Sequence, residues 1–483
     1  MATLSSLVPW AVARLDERDG EFILTAPNRG GEQPLLHAAP AWEALRPPVR
    51  NVSIATILTE DDGLADATVP RREASVADGH PPRTRTHYYY SGSLQDATTA
   101  HWRTEILLED LSPRDALLLR DAPPLKPRDS PQPPAASRSS VPRNYTSLRL
   151  WLTSANVLAR AHYDKSHNVL CVVRGRKRIV LWPPEELPAL HLYPAVHAAH
   201  RQSQVSTTRL PPVRAALEEA EDSATAPSAP SLRGVVGEYA LLDARALLGL
   251  RGAVGAELTH GECLYTPPYW AHAVYSPEPS VALAAFSTSW EQARWARSAW
   301  FLAPLGRFAA GGVCSRARGA ALLISSFIHA CAPILVRPSS AGGGATSPRA
   351  FLARVFAARF APLYGGLHEP STTTAGPSSQ ALSDCLAAAP QSPDAPELDA
   401  DLRQRIRSLG AAVASLLTEA DPAAPGGPRA FSVGVAMELA ADYVEELAGW
   451  ACGAEGAWRL LRLLALTEET DLQPEDSGAG GVS

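Results

Sequence analysis

The run from Asn168 to Pro184 constrains the fold of this chain more than any other stretch. Asn168-Val169-Leu170-Cys171-Val172-Val173 is strand-like, Arg174-Gly175 offers a turn, and Arg176-Lys177-Arg178-Ile179-Val180-Leu181-Trp182 is strand-like again. Such runs, bounded by a glycine, predict an antiparallel hairpin, and Pro183-Pro184 ends its second strand. Ser147 to Leu152 predicts a further strand upstream. In paired strands of this kind the inward and outward residues alternate.

Two chemically loaded positions sit at the edge of this unit. His162 and Asp164 flank Tyr163, and residues i and i+2 of a strand share a face, so both side chains would reach into one cavity. His272 follows a second strand-like stretch, Cys263 to Thr266, across a rigid Pro267-Pro268 corner. Two histidines and one carboxylate are the facial ligand set that holds non-haem Fe(II) and leaves positions open. A lone His-x-Asp arises by chance, and a histidine in a strand is usually a hydrogen-bonded surface or core residue. Its position beside the hairpin is what gives it weight.

The segment His162-Tyr163-Asp164 … Asn168 … Gly175-Arg176-Lys177-Arg178 … Trp182-Pro183-Pro184, with Gly261 to Tyr265 and Pro268-Tyr269-Trp270-Ala271-His272, resembles the JmjC and cupin-like 2-oxoglutarate oxygenases. It looks closest to their small hydroxylase branch, which includes the asparaginyl hydroxylase acting on hypoxia-inducible factor. The resemblance covers residues about 145 to 290. It implies a mainly β fold with helices: a double-stranded β-helix (a cupin-like jelly-roll barrel), here followed by a helical C-terminal region. It implies Fe(II) on His162, Asp164 and His272, with 2-oxoglutarate as co-substrate. Lys177 stands where the family's 2-oxoglutarate lysine stands. Alternation puts it on one face with Ile179 and Leu181, so it would point inward and pair with the distal carboxylate. The other reading of Arg174, Arg176, Lys177 and Arg178 is a solvated basic run or a nuclear-import or nucleic-acid patch. Asn168 matches a family position lining the same pocket.

The chain departs from the family pattern in two places. Relatives carry a co-substrate-binding threonine just before the His-x-Asp, and Leu158 is read as its equivalent. An asparagine of the last barrel strand is missing from Ala284-Ala285-Phe286-Ser287. Tyr145, Thr153 or Ser287 are the candidates to supply the lost hydrogen bond. Tyr265, Tyr269 and Trp270 line the substrate mouth on one reading and pack in the core on the other. His167 is read as a rim residue and His260 as part of a turn. His191, His197 and His200 lie in the loop after the hairpin, where a second metal site is the less favoured reading.

The implied function is an Fe(II)- and 2-oxoglutarate-dependent dioxygenase hydroxylating a protein or peptide side chain. The alternatives are a JmjC-type lysine demethylase, which lacks support from any zinc-finger or chromatin-reader motif, and a catalytically inactive cupin-like binding protein.

Composition bounds the partners. A net charge of −6 over 483 residues gives no global drive toward nucleic acid or membrane. Six cysteines without paired spacing are read as free thiols in an intracellular, reducing compartment, with cytoplasm or nucleus left open. The N-terminus lacks the charged start and apolar core of a secretory signal. Gly319 to Val336 is about membrane length, but Ser325, Ser326, His329 and Pro333 favour a buried helix.

Three regions follow. Residues 1–142 flank the barrel and end in a proline-rich linker. Residues 143–290 form the barrel, interrupted at about 203–235. Residues 291–483 are helical, with candidates at Ala350 to Phe360, Leu402 to Thr418, Val433 to Ala448 and Ala457 to Leu466, joined by mobile Ser/Gly/Pro segments near 337–348, 369–397 and 421–428. These helices are read as a packed cap or as a homodimer interface.

Overall fold

The structure, a computed structural model, describes residues 10–14, 21–22, 49–52, 88–93, 146–197, 199–204, 250, 252–296, 308, 312–335, 348–360, 377–387, 400–422, 424 and 427–466. Twelve strands among them form two sheets. β1 (Trp10–Arg14), β3 (Val49–Val52), β4 (Tyr88–Ser93), β5 (Thr146–Thr153), β7 (His167–Arg174), β10 (Cys263–Thr266) and β12 (Ser280–Ser287) build one, in the order β10-β7-β12-β5-β4-β1-β3. β2 (Glu21–Phe22), β6 (Val157–Tyr163), β8 (Lys177–Trp182), β9 (Val254–Leu258) and β11 (Ala271–Ser276) build the other, in the order β2-β6-β11-β8-β9. This is the expected β-rich jelly roll, with its cavity lined from both sheets. The flanking region before residue 142 contributes β1 to β4, while the proline-rich linker and nearly all of the 203–235 insertion lie outside the described residues.

The predicted hairpin forms as β7 and β8. Gly175 makes its turn at φ +75°, and a Cβ there would lie 2.3 Å from the Pro279 carbonyl oxygen, so both conformation and space require glycine. The alternation read for β8 holds. Lys177, Ile179 and Leu181 face inward, where Ile179 and Leu181 pack with Val172 and Leu258. Val180 and Trp182 face outward into a second core.

That second core is the larger one. The outer face of the five-stranded sheet packs on helices α2 (Gly312–Leu335), α3 (Pro348–Val355, continued by a π-turn over Phe356–Phe360), α5 (Ala400–Thr418), α6 (Val433–Cys452) and α7 (Ala454–Leu466). A shorter helix, α1 (Trp290–Trp295), leaves the last barrel strand with Ser289 as its N-cap. The helical region is therefore packed against the barrel. Ser432 caps α6, and Gly434 lets the helix start press against Pro184 and Glu185: a Cβ there would meet their backbone within 2.4–2.6 Å. The 312–335 helix is buried between barrel and helices, and no described helix is long and apolar enough to cross a membrane.

Two expectations need correction. Ser379–Ala387, inside a segment read as a mobile linker, is helix α4, held by buried Leu382 and Cys385. The cysteines are also not all free: Cys171 bonds to Cys263 and Cys314 to Cys385, leaving Cys331 and Cys452 as buried thiols. The reason is register. β10 pairs antiparallel with β7 so that Cys263 lies directly opposite Cys171, 92 residues away in sequence. With four cysteines paired, cysteine usage no longer argues for a reducing compartment.

Candidate metal centre

β6 and β11 pair antiparallel with His162 directly opposite His272, and their rings lie 4.3 Å apart between centroids. Asp164 follows the end of β6. One ligand atom from each of His162, Asp164 and His272 lies within 4.8 Å of the others, the only such group of His, Cys, Asp or Glu among the described residues. His191, His197 and His200 form no comparable cluster there.

Local geometry readies these side chains for a metal. His162 Nδ1 lies 2.8 Å from the Arg160 carbonyl oxygen and His272 Nδ1 3.3 Å from that of Trp270. Both rings thus have a backbone acceptor for an Nδ1 proton, which leaves Nε2 with its lone pair for a ligand. Burial, then the charge of His272, pushes His162 down to about 4, so the ring is neutral. Burial alone would raise Asp164, but the neighbouring His272 and His162 rings, Arg201 and a hydrogen bond from Asn168 outweigh it and hold the carboxyl below its ordinary value. Asn168 Nδ2 donates to Asp164 Oδ2 at 3.3 Å, and its Oδ1 is buried without a partner among the described residues. Asn168 therefore orients the carboxylate as well as lining the pocket. Behind Asp164, its carbonyl oxygen accepts from Tyr269 N at 2.8 Å. Tyr269 ends the double-proline corner at φ 62° and so sets the start of β11.

A cavity of about 650 Å³ opens over these residues. Lys177 lines it, only 3% exposed, and donates to Ser276 Oγ at 3.0 Å. No carboxylate reaches it among the described residues, and burial pushes it down to about 7. Thr153 Oγ1 sits 3.0 Å from Ser276 Oγ and 2.6 Å from Ser280 Oγ. An inward lysine beside clustered hydroxyls suits a ligand carboxylate, which the cation would pair and the hydroxyls would bond. Three convergent metal-binding atoms and this cation in one cavity fit an Fe(II) ion with a chelating 2-oxo acid.

Other sequence candidates fare unevenly. Tyr145 lies outside the described residues. Leu158 is not the missing pocket residue. β6 carries one extra residue against β11 between Ala159 and His162, a bulge that switches the inward face. Val157 and Ala159 therefore line the cavity with His162 and Asp164, while Leu158 is 1% exposed and points into the helical core. Ser287 and the aromatic trio do not line the cavity either. Tyr269 is fully buried and stacked on Tyr163, Trp270 packs with the inward cluster of Ile179 and Leu181, and exposed Tyr265 bonds His167.

Sequence reasoning missed Ser276, Arg149 and Arg201 as lining residues, and a buried ionic cluster behind the site. Arg359 lies 2.5 Å from Glu438, 3.0 Å from Asp442 and 2.8 Å from Glu445. Asp442 also meets His200 at 3.0 Å, and Lys165 and the Tyr163 hydroxyl at 3.5 Å each. Helix α6 thus grips the residues on either side of Asp164. The signal was present as carboxylates at 438, 442 and 445, one face of a helix whose only other charged residue is Glu446.

Comparison with known proteins bears on the barrel. Residues 84–289 match the family model of the cupin-like domain. Lysine-specific demethylase JMJ31 of Arabidopsis thaliana is 32% identical over 141 residues, 29% of this chain and 21% of that protein. Jumonji C domain-containing protein 5 of Drosophila melanogaster is 33% identical over 137 residues, 28% of this chain and 26% of that protein. The matched stretch thus spans about a quarter or less of these relatives.

Proposed function

We propose that this chain, whose residues 84–289 match the cupin-like domain, is an Fe(II)- and 2-oxoglutarate-dependent dioxygenase hydroxylating a protein or peptide side chain. The observation that carries this reading is the meeting of His162, Asp164 and His272 in one cavity with Lys177, a buried cation that no described carboxylate satisfies. Iron with 2-oxoglutarate, when bound, supplies the oxidising step: one oxygen atom of O₂ ends in succinate as carbon dioxide leaves, and the other ends in the hydroxylated product. The chain's own residues do the rest. His162, Asp164 and His272 would hold the metal at the cavity wall. Asn168 fixes the carboxylate. Lys177, helped by Ser276 and Thr153, orients the co-substrate through its distal carboxylate. Val157, Ala159, Ile179 and Val274 give the floor of the cavity apolar walls that limit water.

Lysine demethylation is the second reading, since one relative bears that name. It would use the same metal chemistry on an N-methyl carbon, so only the substrate separates the two. The reading of a silent binding protein keeps the missing pocket hydroxyl as its support, now at Ala159 and not at Leu158, which faces away from the cavity. Succinate release from 2-oxoglutarate, with iron and oxygen and no added substrate, tests the enzyme reading. Slow release that His272→Ala abolishes is expected. No release by the full chain would favour the binding protein.

A further inference from the structure

The cavity holds more positive charge than the proposed reaction uses. Lys177, Arg149 and Arg201 line it, whereas Asp164 is the only carboxylate among its described lining residues. Resting on the oxygenase reading, charges can be counted. A divalent metal, ionised Asp164, a doubly charged co-substrate and Lys177 sum to zero, and two guanidinium groups remain.

Neither arginine forms an ion pair among the described residues, and the nearest negative charge to Arg201 is the Asp164 already counted. Arg149 stands on the cavity face of β5 with Ser147, Trp151 and Thr153. Its Nη1 donates to Ser91 Oγ at 3.3 Å, and it meets no described carboxylate. Arg201 sits at φ 72° in the loop that returns beside β6, where its backbone carbonyl accepts from Tyr163 N, and its charge is felt by Asp164 and His162. Trp151, between the arginine and Thr153 on the same strand face, keeps its Nε1–H buried and without an acceptor among the described residues. Two planar cations and an unused donor in one cavity call for an acceptor-rich anion.

We propose that the substrate is an acidic peptide segment, with a carboxylate side chain held by Arg149 and Arg201 while a neighbouring C–H faces the metal. A methyl-lysine or arginine substrate would meet two like charges and find no carboxylate except the metal ligand, so this assignment favours hydroxylation of an acidic segment over lysine demethylation. A polynucleotide is the weaker candidate. It needs a track of phosphate contacts, and this chain carries a net charge of −6.

The test uses the full chain and fluorescence anisotropy, with three labelled peptides on one neutral scaffold bearing central aspartates, asparagines or lysines. A single-stranded oligonucleotide is the fourth probe. The aspartate peptide should bind about tenfold more tightly than the lysine peptide at low salt, with the gap shrinking as salt is added. Arg149→Glu should reverse that order and Arg149→Lys should keep it. Arg149 is exposed, so neither variant disturbs the core. Equal or stronger binding of the lysine peptide, a preference unmoved by Arg149→Glu, no peptide binding, or tighter binding of the oligonucleotide would each overturn the proposal. Calorimetric binding of 2-oxoglutarate to the unaltered chain runs in parallel. Its failure would remove the oxygenase reading and leave the peptide comparison legible by itself.

Discussion

His200 lines the cavity, and its Nε2 lies 3.0 Å from Asp442 Oδ1 on helix α6. The cavity and the helical region are thus joined through a side-chain contact across 242 residues of sequence. Asp442 is shared with Arg359, which also faces Glu438 and Glu445. Removing the arginine strands three buried acidic side chains. Arg359→Ala should therefore cost about 3–5 kcal/mol, the range for breaking a buried ion pair. Denaturant unfolding would show it as a lower midpoint, and a loss under about 1 kcal/mol, the scale of a surface pair, would mean that the cluster is solvated.

Glu445 makes this cluster pH-sensitive. Burial, against the pull of Arg359, pushes its carboxyl up to about 8 from 4.5. Between those values the folded chain holds a proton that the unfolded chain has released. Stability from this group is full below about 4.5 and is lost as pH rises through about 8. Urea midpoints should fall across that window, and Glu445→Gln should flatten the fall. An equal slope in the variant would locate the titration elsewhere.

Lys177 predicts a proton linkage of its own. Burial pushes the free side chain down to about 7, and a paired carboxylate would favour the charged form. Above pH about 7 the binding of 2-oxoglutarate should take up a proton, and affinity should weaken as pH rises. Calorimetry in buffers of different ionisation enthalpy reads the uptake directly. Lys177→Ala should lose roughly 1.5–3 kcal/mol of binding, about ten- to a hundred-fold. Unchanged affinity would transfer the anchoring role to another cation.

Leu158 shows where the sequence misleads. Counting in steps of two back from His162 requires a regular strand, and one extra residue in β6 breaks the count. Leu158→Thr should bury a hydroxyl in the helical core, costing about 1–3 kcal/mol with no gain in turnover. Ala159→Thr is the change that reaches the cavity. Improved turnover from Leu158→Thr, in a succinate assay of both variants, would mean that the bulge is misplaced.

What was legible in the sequence was local. The hairpin, the alternation around Lys177 and the i, i+2 ligand pair follow from neighbours along the chain, and so do helices such as Ala400–Thr418 and Val433–Cys452. What stayed hidden depends on register between distant segments. Cys171 and Cys263 become partners only once β7 and β10 pair. Ser276 reaches Lys177 only because β11 lies beside β8. Arg149 gains meaning only when the cavity's one described carboxylate proves to be Asp164.

The most direct test of the proposed metal centre is the coupling between iron and 2-oxoglutarate, measured without oxygen. 2-Oxoglutarate affinity is determined by calorimetry with and without Fe(II), in the natural chain and in Asp164→Ala. If His162, Asp164 and His272 hold the metal in the cavity that Lys177 lines, iron should bind one to one and raise 2-oxoglutarate affinity at least about tenfold, about 1.4 kcal/mol of coupling. Asp164→Ala should erase that gain. Iron that binds without changing 2-oxoglutarate affinity, or a gain that survives Asp164→Ala, would contradict a shared metal and co-substrate site.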